Sequence, residues 1–120
     1  LSALAAAVYL TTMGPGGLRT VAGLCYQKSH YAAQQIAALN GFGVHIHGTQ
    51  PTFFRDFVVR LPLSAVETNR FLWERHRIVG GYDLSADYPA LGHTMLLSVT
   101  ECNTREDIDR LVDALKTLAA

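Results

Sequence analysis

Charge is scarce in this chain. Of its 120 residues, 17% are charged, where an average soluble domain has about a quarter. Ten basic and ten acidic side chains cancel, and no block of like charge appears. That excludes nucleic acid as a partner, because neutralising phosphates needs a basic footprint. Long apolar runs are also missing: none reaches the ~18 to 20 residues that cross a bilayer, so no membrane partner is expected. Cysteine is limited to Cys25 and Cys102. Their placement does not suggest a disulfide framework, and it points to a reducing cytosol. No repeat or low-complexity segment is apparent. A signal peptide is not expected either, since no basic region precedes the first apolar run and Thr11 and Thr12 interrupt it.

What the chain does have is apolar residues, at 49%. That is enough for one domain with its own core and for a surplus expected to face a partner. Leu1 to Leu10 is a run of Ala, Leu, Val and Tyr with high helix propensity. It enters without preamble, as an excised piece of a longer polypeptide would. Gly14-Pro15-Gly16-Gly17 then stops that helix and permits a sharp redirection. Leu18 to Leu39 reads as a second, long helix. Leu18, Ala22, Cys25, Ser29, Ala32 and Ile36 fall on one stripe of mostly small residues, which another backbone can approach closely.

Gly41 is placed to take the left-handed conformation after that helix. Val44 to His47 alternates as a short strand, Gly48 to Thr52 is a turn, and Phe53 to Leu61 a second strand of the same hairpin. In the latter, Phe53, Arg55, Phe57, Val59 and Leu61 share one face. Ser64 and Glu67 form a capping box that starts a helix running to about Arg77, with Val66, Leu72 and Trp73 available to bury. Gly80 to Leu84 is a turned or flexible segment, Ser85 to Gly92 a polar loop, and Thr94 to Thr100 a central strand. The last helix is capped by Asn103 or Thr104, with Glu106 or Asp107 at the box position. Its stripe is Ile108, Leu111, Val112, Leu115 and Leu118. The fold class is therefore α+β, with about three strands in an antiparallel or mixed sheet covered by helices on one face.

The chemical candidates are few. His45 and His47 share a strand face and His30 lies upstream, yet a zinc site needs three or four ligands, and no further cluster sits at ligand spacing. The glycines at 14, 16 and 17 resemble a phosphate cradle, but no strand precedes them and Pro15 removes an amide donor. Cys25 and Cys102 read as buried, inert thiols rather than nucleophiles. Arg55-Asp56 and Thr100-Glu101 place charges at strand ends, as partner contacts or ordinary edge charges. Arg19, Lys28, Arg70 and Arg75 read as solvated helix faces. Nothing assembles a nucleophile, a base and an oxyanion hole, so no catalytic, cofactor-binding or metal residue is assigned.

Several stretches, in order, carry a resemblance. They are Tyr9 to Leu18 with Val21-Ala22, Gln27 to Tyr31, Phe54 to Pro62, Gly80 to Leu84, Leu97 to Glu101, and Thr104 to Asp109. Together they are similar to the C-terminal end of the first subunit of the two-subunit glycine decarboxylases, the P-protein family of the glycine cleavage system. Arg55-Asp56 departs mildly, where the family shows an uncharged or small residue followed by Glu. The resemblance implies the small C-terminal domain of a fold-type I pyridoxal phosphate enzyme over residues 1–120, with residues 1–39 linking to a large domain. It implies a cytoplasmic heterotetramer in which subunit 2 holds the pyridoxal phosphate. That complex decarboxylates glycine and passes the aminomethyl group to the lipoyl arm of H-protein. This piece alone is then expected to bind no cofactor, to be inactive, and to self-associate through its first helix. The small domain of an aminotransferase or cysteine desulfurase is the alternative, with Arg60 or Arg105 as substrate-carboxylate candidates. A free-standing α+β binding module is the third.

Overall fold

A computed structural model describes residues 1–45 and 52–119. Its elements, in chain order, are α1 (Ser2–Ala37), β1 (Gly43–His45), β2 (Asp56–Arg60), α2 (Ala65–His76), β3 (Tyr82–Asp83), β4 (Thr94–Ser98) and α3 (Arg105–Ala119). A single turn of 3-10 helix, Pro89–Leu91, lies between β3 and β4.

The break at the start of α1 is where the glycines and proline require it. Gly14 alone leaves the helical region, at φ 63° and ψ 179°, a conformation open essentially to glycine. Pro15 follows as the first residue of the resumed helix, where its missing N–H removes no bond. The arm before the break stands clear of the sheet, and every residue from Leu1 to Thr12 is exposed. Beyond the break, Cys25, Ser29, Ala32, Ala33 and Ile36 are buried. The backbone that approaches the second half of the small-residue stripe is this chain's own, in the sheet and α3, and Ala32, Ala33 and Ile36 belong to the central core. Gly41 takes φ 82° and turns the chain into β1.

The sheet has four strands in the order β1-β2-β4-β3, all pairs antiparallel. The β1–β2 hairpin is as expected, with Val44 opposite Val59. Gly48 to Pro51 of its turn lie outside the described residues, as do Ile46 and His47. β2 begins at Asp56 rather than Phe53 because α1 claims the carbonyls before it. His30 Nε2 bonds the Phe53 carbonyl at 3.0 Å and the Ser29 hydroxyl donates to that of Phe54 at 2.7 Å. From Asp56 on, Phe57, Val59 and Leu61 turn inward and are buried, as the alternation predicts. β4 is central, with Met95 and Leu97 buried on the helix-covered side.

β3 is the strand that pattern alone did not find. Two residues carry no periodicity, and Tyr82–Asp83 pairs with Leu96 and Met95 only because Gly81 lets the chain approach β4. A Cβ at Gly81 collides with the Leu96 carbonyl oxygen and comes within 2.9 Å of Leu97 Cδ2. The Asn69 amide extends the strand's hydrogen bonding onto α2, donating to the Gly81 carbonyl at 2.9 Å and accepting its N–H at 3.2 Å.

α2 starts with the expected box. The Ser64 hydroxyl accepts the Glu67 N–H at 3.2 Å, and the Glu67 carboxylate accepts from the Ser64 N–H at 3.3 Å. Its buried face is Ala65, Thr68 and Leu72. Val66 and Trp73, expected to bury, are 62% and 51% exposed. Each lies one residue further round the helix, about 100° from the inward stripe. The helix closes at Arg77, left-handed at φ 54° and ψ 40°. The Ile78 N–H reaches back to the Leu72 carbonyl at 3.0 Å, and the Arg77 guanidinium lies 5.5 Å over the Trp73 ring. In α3 the cap is Thr104 and the box residue Asp107. The Thr104 hydroxyl accepts the Asp107 N–H at 3.1 Å, and Asp107 accepts from the Thr104 N–H at 2.9 Å. Ile108 and Leu115 are buried on the expected stripe, joined by Ala114.

Candidate functional site

A polar cluster lies where α1 meets the turn after β4. The Cys25 thiol donates to Glu101 Oε2 at 3.1 Å, and one helical turn on the Lys28 ammonium donates to the Glu101 carbonyl at 2.7 Å. Burial first, then the adjacent carboxylate, push the Cys25 thiol up from its usual value. The Cys25 hydrogen bond in turn holds Glu101 below the ordinary carboxylate range. A thiol shifted that way stays protonated at neutral pH, and a carboxylate shifted that way stays ionised. The pair therefore supplies neither a nucleophile nor an acid. It clamps the turn to the helix. Lys28 belongs to this clamp, not to a solvated face as its sequence context suggests. Cys102, expected to be buried, is exposed, because the turn that presents Glu101 inward points the next residue out.

The histidines do not assemble. His30 is stacked between Tyr26 and Phe53, with ring centroids 4.0 Å away on each side. Its Nε2 carries the proton, since its partner is a carbonyl oxygen. It is a packing residue of the α1–β2 junction. His45 belongs to β1 and His47 lies outside the described residues. Among the described residues no group of three or more His, Cys, Asp or Glu side chains stands close enough to hold a metal. At the glycine-rich break, Thr11, Thr12 and Thr20 turn their hydroxyls back onto carbonyls four residues earlier. That is a helix break with self-satisfied hydroxyls. Arg55 and Asp56 approach at 3.9 Å, both half exposed, as an ordinary surface pair. Arg105 is engaged by Asp109 at 3.8 Å and lies 5.2 Å over the Tyr31 ring.

Pyridoxal phosphate needs a lysine free to form an imine. The chain's two lysines are Lys28 and Lys116. The first is turned onto the Glu101 carbonyl, and the second is exposed in the last turn of α3. Lys28 lines a hollow between α1 and α3 with Gln27, Tyr31, Arg105 and Ile108, but its ammonium is committed to the Glu101 carbonyl rather than free for an imine.

Among the described residues, two apolar surfaces suit docking. The first is the arm of α1. Leu1, Leu4, Val8 and Tyr9 line an apolar groove with Thr12 and Met13, and no charged side chain occurs before Arg19. Leu4 is 64% exposed and Val8 58%. The second is part of the sheet face opposite the helices, whose remainder is covered by this chain where Thr94 and Leu84 are buried. There Val58, Leu96 and Tyr82 form a row across three strands, with Tyr82 exposed and the other two half-buried. Exposed apolar area of this kind marks interaction surfaces. Among the described residues no helix is long and apolar enough to cross a membrane.

Comparison with known proteins agrees along the whole chain. Residues 1–115 match the family model of the glycine cleavage system P-protein. The probable glycine dehydrogenase (decarboxylating) subunit 1 of Thermomicrobium roseum is 50% identical over 120 residues, which is all of this chain and 26% of that protein. The protein of the same name from Anoxybacillus flavithermus is 43% identical over 96% of this chain and 25% of its own length. The chain thus spans about a quarter of these relatives. A crystal structure of glycine decarboxylase (P-protein) in inhibitor-bound form superposes with a TM-score of 0.80 at 29% identity. It covers 93% of this chain and 24% of that one. An aminotransferase of Streptoalloteichus hindustanus shares the fold, with a TM-score of 0.56 at 13% identity over 83% of this chain and 32% of its own. The α+β small-domain architecture of fold-type I enzymes is therefore the observed one, with four strands where about three were expected. With a family model matched over nearly every residue and half of the residues shared with a subunit 1, the chain belongs to the glycine cleavage system P-protein family.

Proposed function

We propose that these residues form the small C-terminal domain of a glycine decarboxylase subunit 1, and that the domain's task is assembly rather than chemistry. The observation that carries this is the pairing of two apolar surfaces with an inactive polar centre. The arm of α1 is an apolar ledge without a covering element, while the polar cluster at Glu101 holds a protonated thiol against an ionised carboxylate. Residues 1–39 would link to the large domain, with the arm packing against it or against subunit 2. Pyridoxal phosphate would reside on subunit 2 in a cytoplasmic heterotetramer, which decarboxylates glycine and loads the aminomethyl group onto lipoyl H-protein. The small domain would hold the two subunits so that the partner's active site closes.

The test is co-expression of the full-length parent chain with a candidate subunit 2. Glycine-dependent exchange of labelled bicarbonate is then measured in the presence of H-protein. Activity only with both chains, and a pyridoxal absorbance on subunit 2, is the expected result. A parent chain that carries the chromophore alone overturns the proposal in favour of an aminotransferase-like enzyme.

A further inference from the structure

A hollow of about 270 Å³ opens where α2 ends, between residues 77–80, the end of β4 and the first turns of α3. Its origin lies in the sheet. β2 bonds the odd-numbered residues of β4: the Val99 N–H donates to the Arg55 carbonyl at 3.1 Å, and the Leu61 N–H to that of His93 at 2.8 Å. The alternation turns the N–H and C=O of Ser98 to the opposite edge. The register on that edge, Tyr82 with Leu96, would set Gly80 against Ser98. Yet β3 stops at Tyr82, because the Asn69 amide holds Gly81 and draws the chain onto α2. Ser98 therefore lines the hollow with a donor and an acceptor that have no partner among the described residues. Arg77, Arg110 and Asn103 also line it. Asn103 Oδ1 accepts the Thr100 N–H at 2.9 Å, which leaves the two N–H groups of that amide unused among the described residues. The wall is apolar, with Leu97, Val99 and Ile108 buried behind it. Arg77 stands at φ 54°, where glycine would cost less, and its guanidinium is stacked over Trp73. A strained position that carries an arginine marks a side chain with a task.

We propose that this hollow binds a free apolar α-amino acid of about the size of leucine. The polar groups match both ends of such a zwitterion. A carboxylate accepts from the Ser98 N–H, the Arg77 guanidinium and the Asn103 amide, a charge-assisted set of donors. The ammonium donates to the Ser98 carbonyl and to Asp107, which also lines the hollow. The Thr104 N–H keeps that carboxylate below its ordinary range, so it is ionised at neutral pH. Leu97, Val99, Ile108 and Leu111 supply the apolar wall that a branched side chain fills and glycine leaves bare. Size selects a single amino acid over a run of peptide, since the volume lies just below the ~300 to 1,000 Å³ of sites for drug-sized ligands. Every group is on this chain, so the proposal goes beyond the assembly reading and does not depend on it.

Equilibrium dialysis of labelled leucine against the full-length parent chain, with hydrogen exchange on the same samples, tests it. Leucine at millimolar concentration should bind saturably and slow exchange of the Ser98 amide. Val99, already bonded to β2, should stay as it was. Leucinamide and N-acetyl-leucine, each lacking one charge, should protect Ser98 only at concentrations at least about tenfold higher. Glycine should need a similar excess. Arg77→Gly should weaken leucine binding by about tenfold or more. It removes backbone strain at the same time, so a loss of fold cannot account for the loss of binding. Asn103→Asp, which keeps the oxygen that the Thr100 N–H uses, should weaken binding as well. Arg70→Ala, exposed and outside the hollow, should leave it unchanged. Absence of saturable binding overturns the proposal, and so does binding that ignores Arg77→Gly or leaves Ser98 exchange unaltered. A peptide ending in leucine that binds more tightly than the free amino acid overturns it too, in favour of strand addition at the β4 edge.

Discussion

At the scale of single residues, the informative positions are those where two small effects oppose each other. Arg77 closes α2 in the left-handed region, which costs an L-residue about 1 to 2 kcal/mol relative to glycine. Its guanidinium recovers about 0.5 to 1 kcal/mol by stacking on Trp73. The backbone effect is the larger, so Arg77→Gly should raise the unfolding free energy of the full-length chain, read from urea titration, by up to about 1 kcal/mol. The capping carboxylates give a pH dependence. The Ser64 hydroxyl holds Glu67 below its ordinary range, and the Thr104 N–H does the same for Asp107. A depressed folded value means that their contribution is complete above the unfolded carboxylate range, ~4 to 4.5, and is lost as pH falls through the lower folded values. The gap in urea midpoint between wild type and Glu67→Gln/Asp107→Asn should therefore be widest near neutrality and close on acidification below about pH 4. These caps were legible in the sequence, because a capping box is a three-residue spacing. The Cys25–Glu101 clamp was not, since its partners are 76 residues apart.

Among elements, the two glycine sites behave differently although both read as punctuation. Gly14 is demanded by its own dihedral angles, and nothing lies within 4 Å of where its Cβ would be. Gly14→Ala should cost about 1 to 3 kcal/mol from backbone strain alone, with no change in core packing. Gly81 has an ordinary φ and is demanded by its neighbour, the Leu96 carbonyl of β4. Gly81→Ala should push β3 off the sheet and cost about 1 to 3 kcal/mol by overpacking. Faster hydrogen exchange at Tyr82 and Leu84 is its signature, with α1 untouched. The first glycine's role could be read from Gly-Pro-Gly-Gly between two helical patterns. The second's could not, because a strand of two residues has no period and exists only through its pairing. The same reason explains α2. Val66, Leu72 and Trp73 are equally apolar, and only the packing of Leu72 onto the sheet selects which stripe faces inward.

For the whole molecule, the arm of α1 is the feature that extends the domain to 46 Å in its longest dimension. Leu4→Glu/Val8→Glu places two charges on an otherwise uncharged face. In the full-length chain it should lower the yield of complex with subunit 2 and the bicarbonate exchange together, while the small-domain core melts unchanged. Size-exclusion mass and activity on one preparation check this, and intact assembly counts against the arm as a docking ledge. The sequence by itself determined the α+β class, the helix break at Gly14, the hairpin, the capping box of α2, the start of α3 to within a residue and the apolar surplus, because each depends on neighbours within a few residues or on composition. Only the tertiary structure decided that half of the small-residue stripe belongs to this domain's own core and that Lys28 is a clamp. It alone made Tyr82–Asp83 a strand and buried Thr94 and Leu84 on the sheet face away from the helices. Those outcomes depend on which surfaces meet, and the free energy that selects them comes from contacts between residues far apart in the chain.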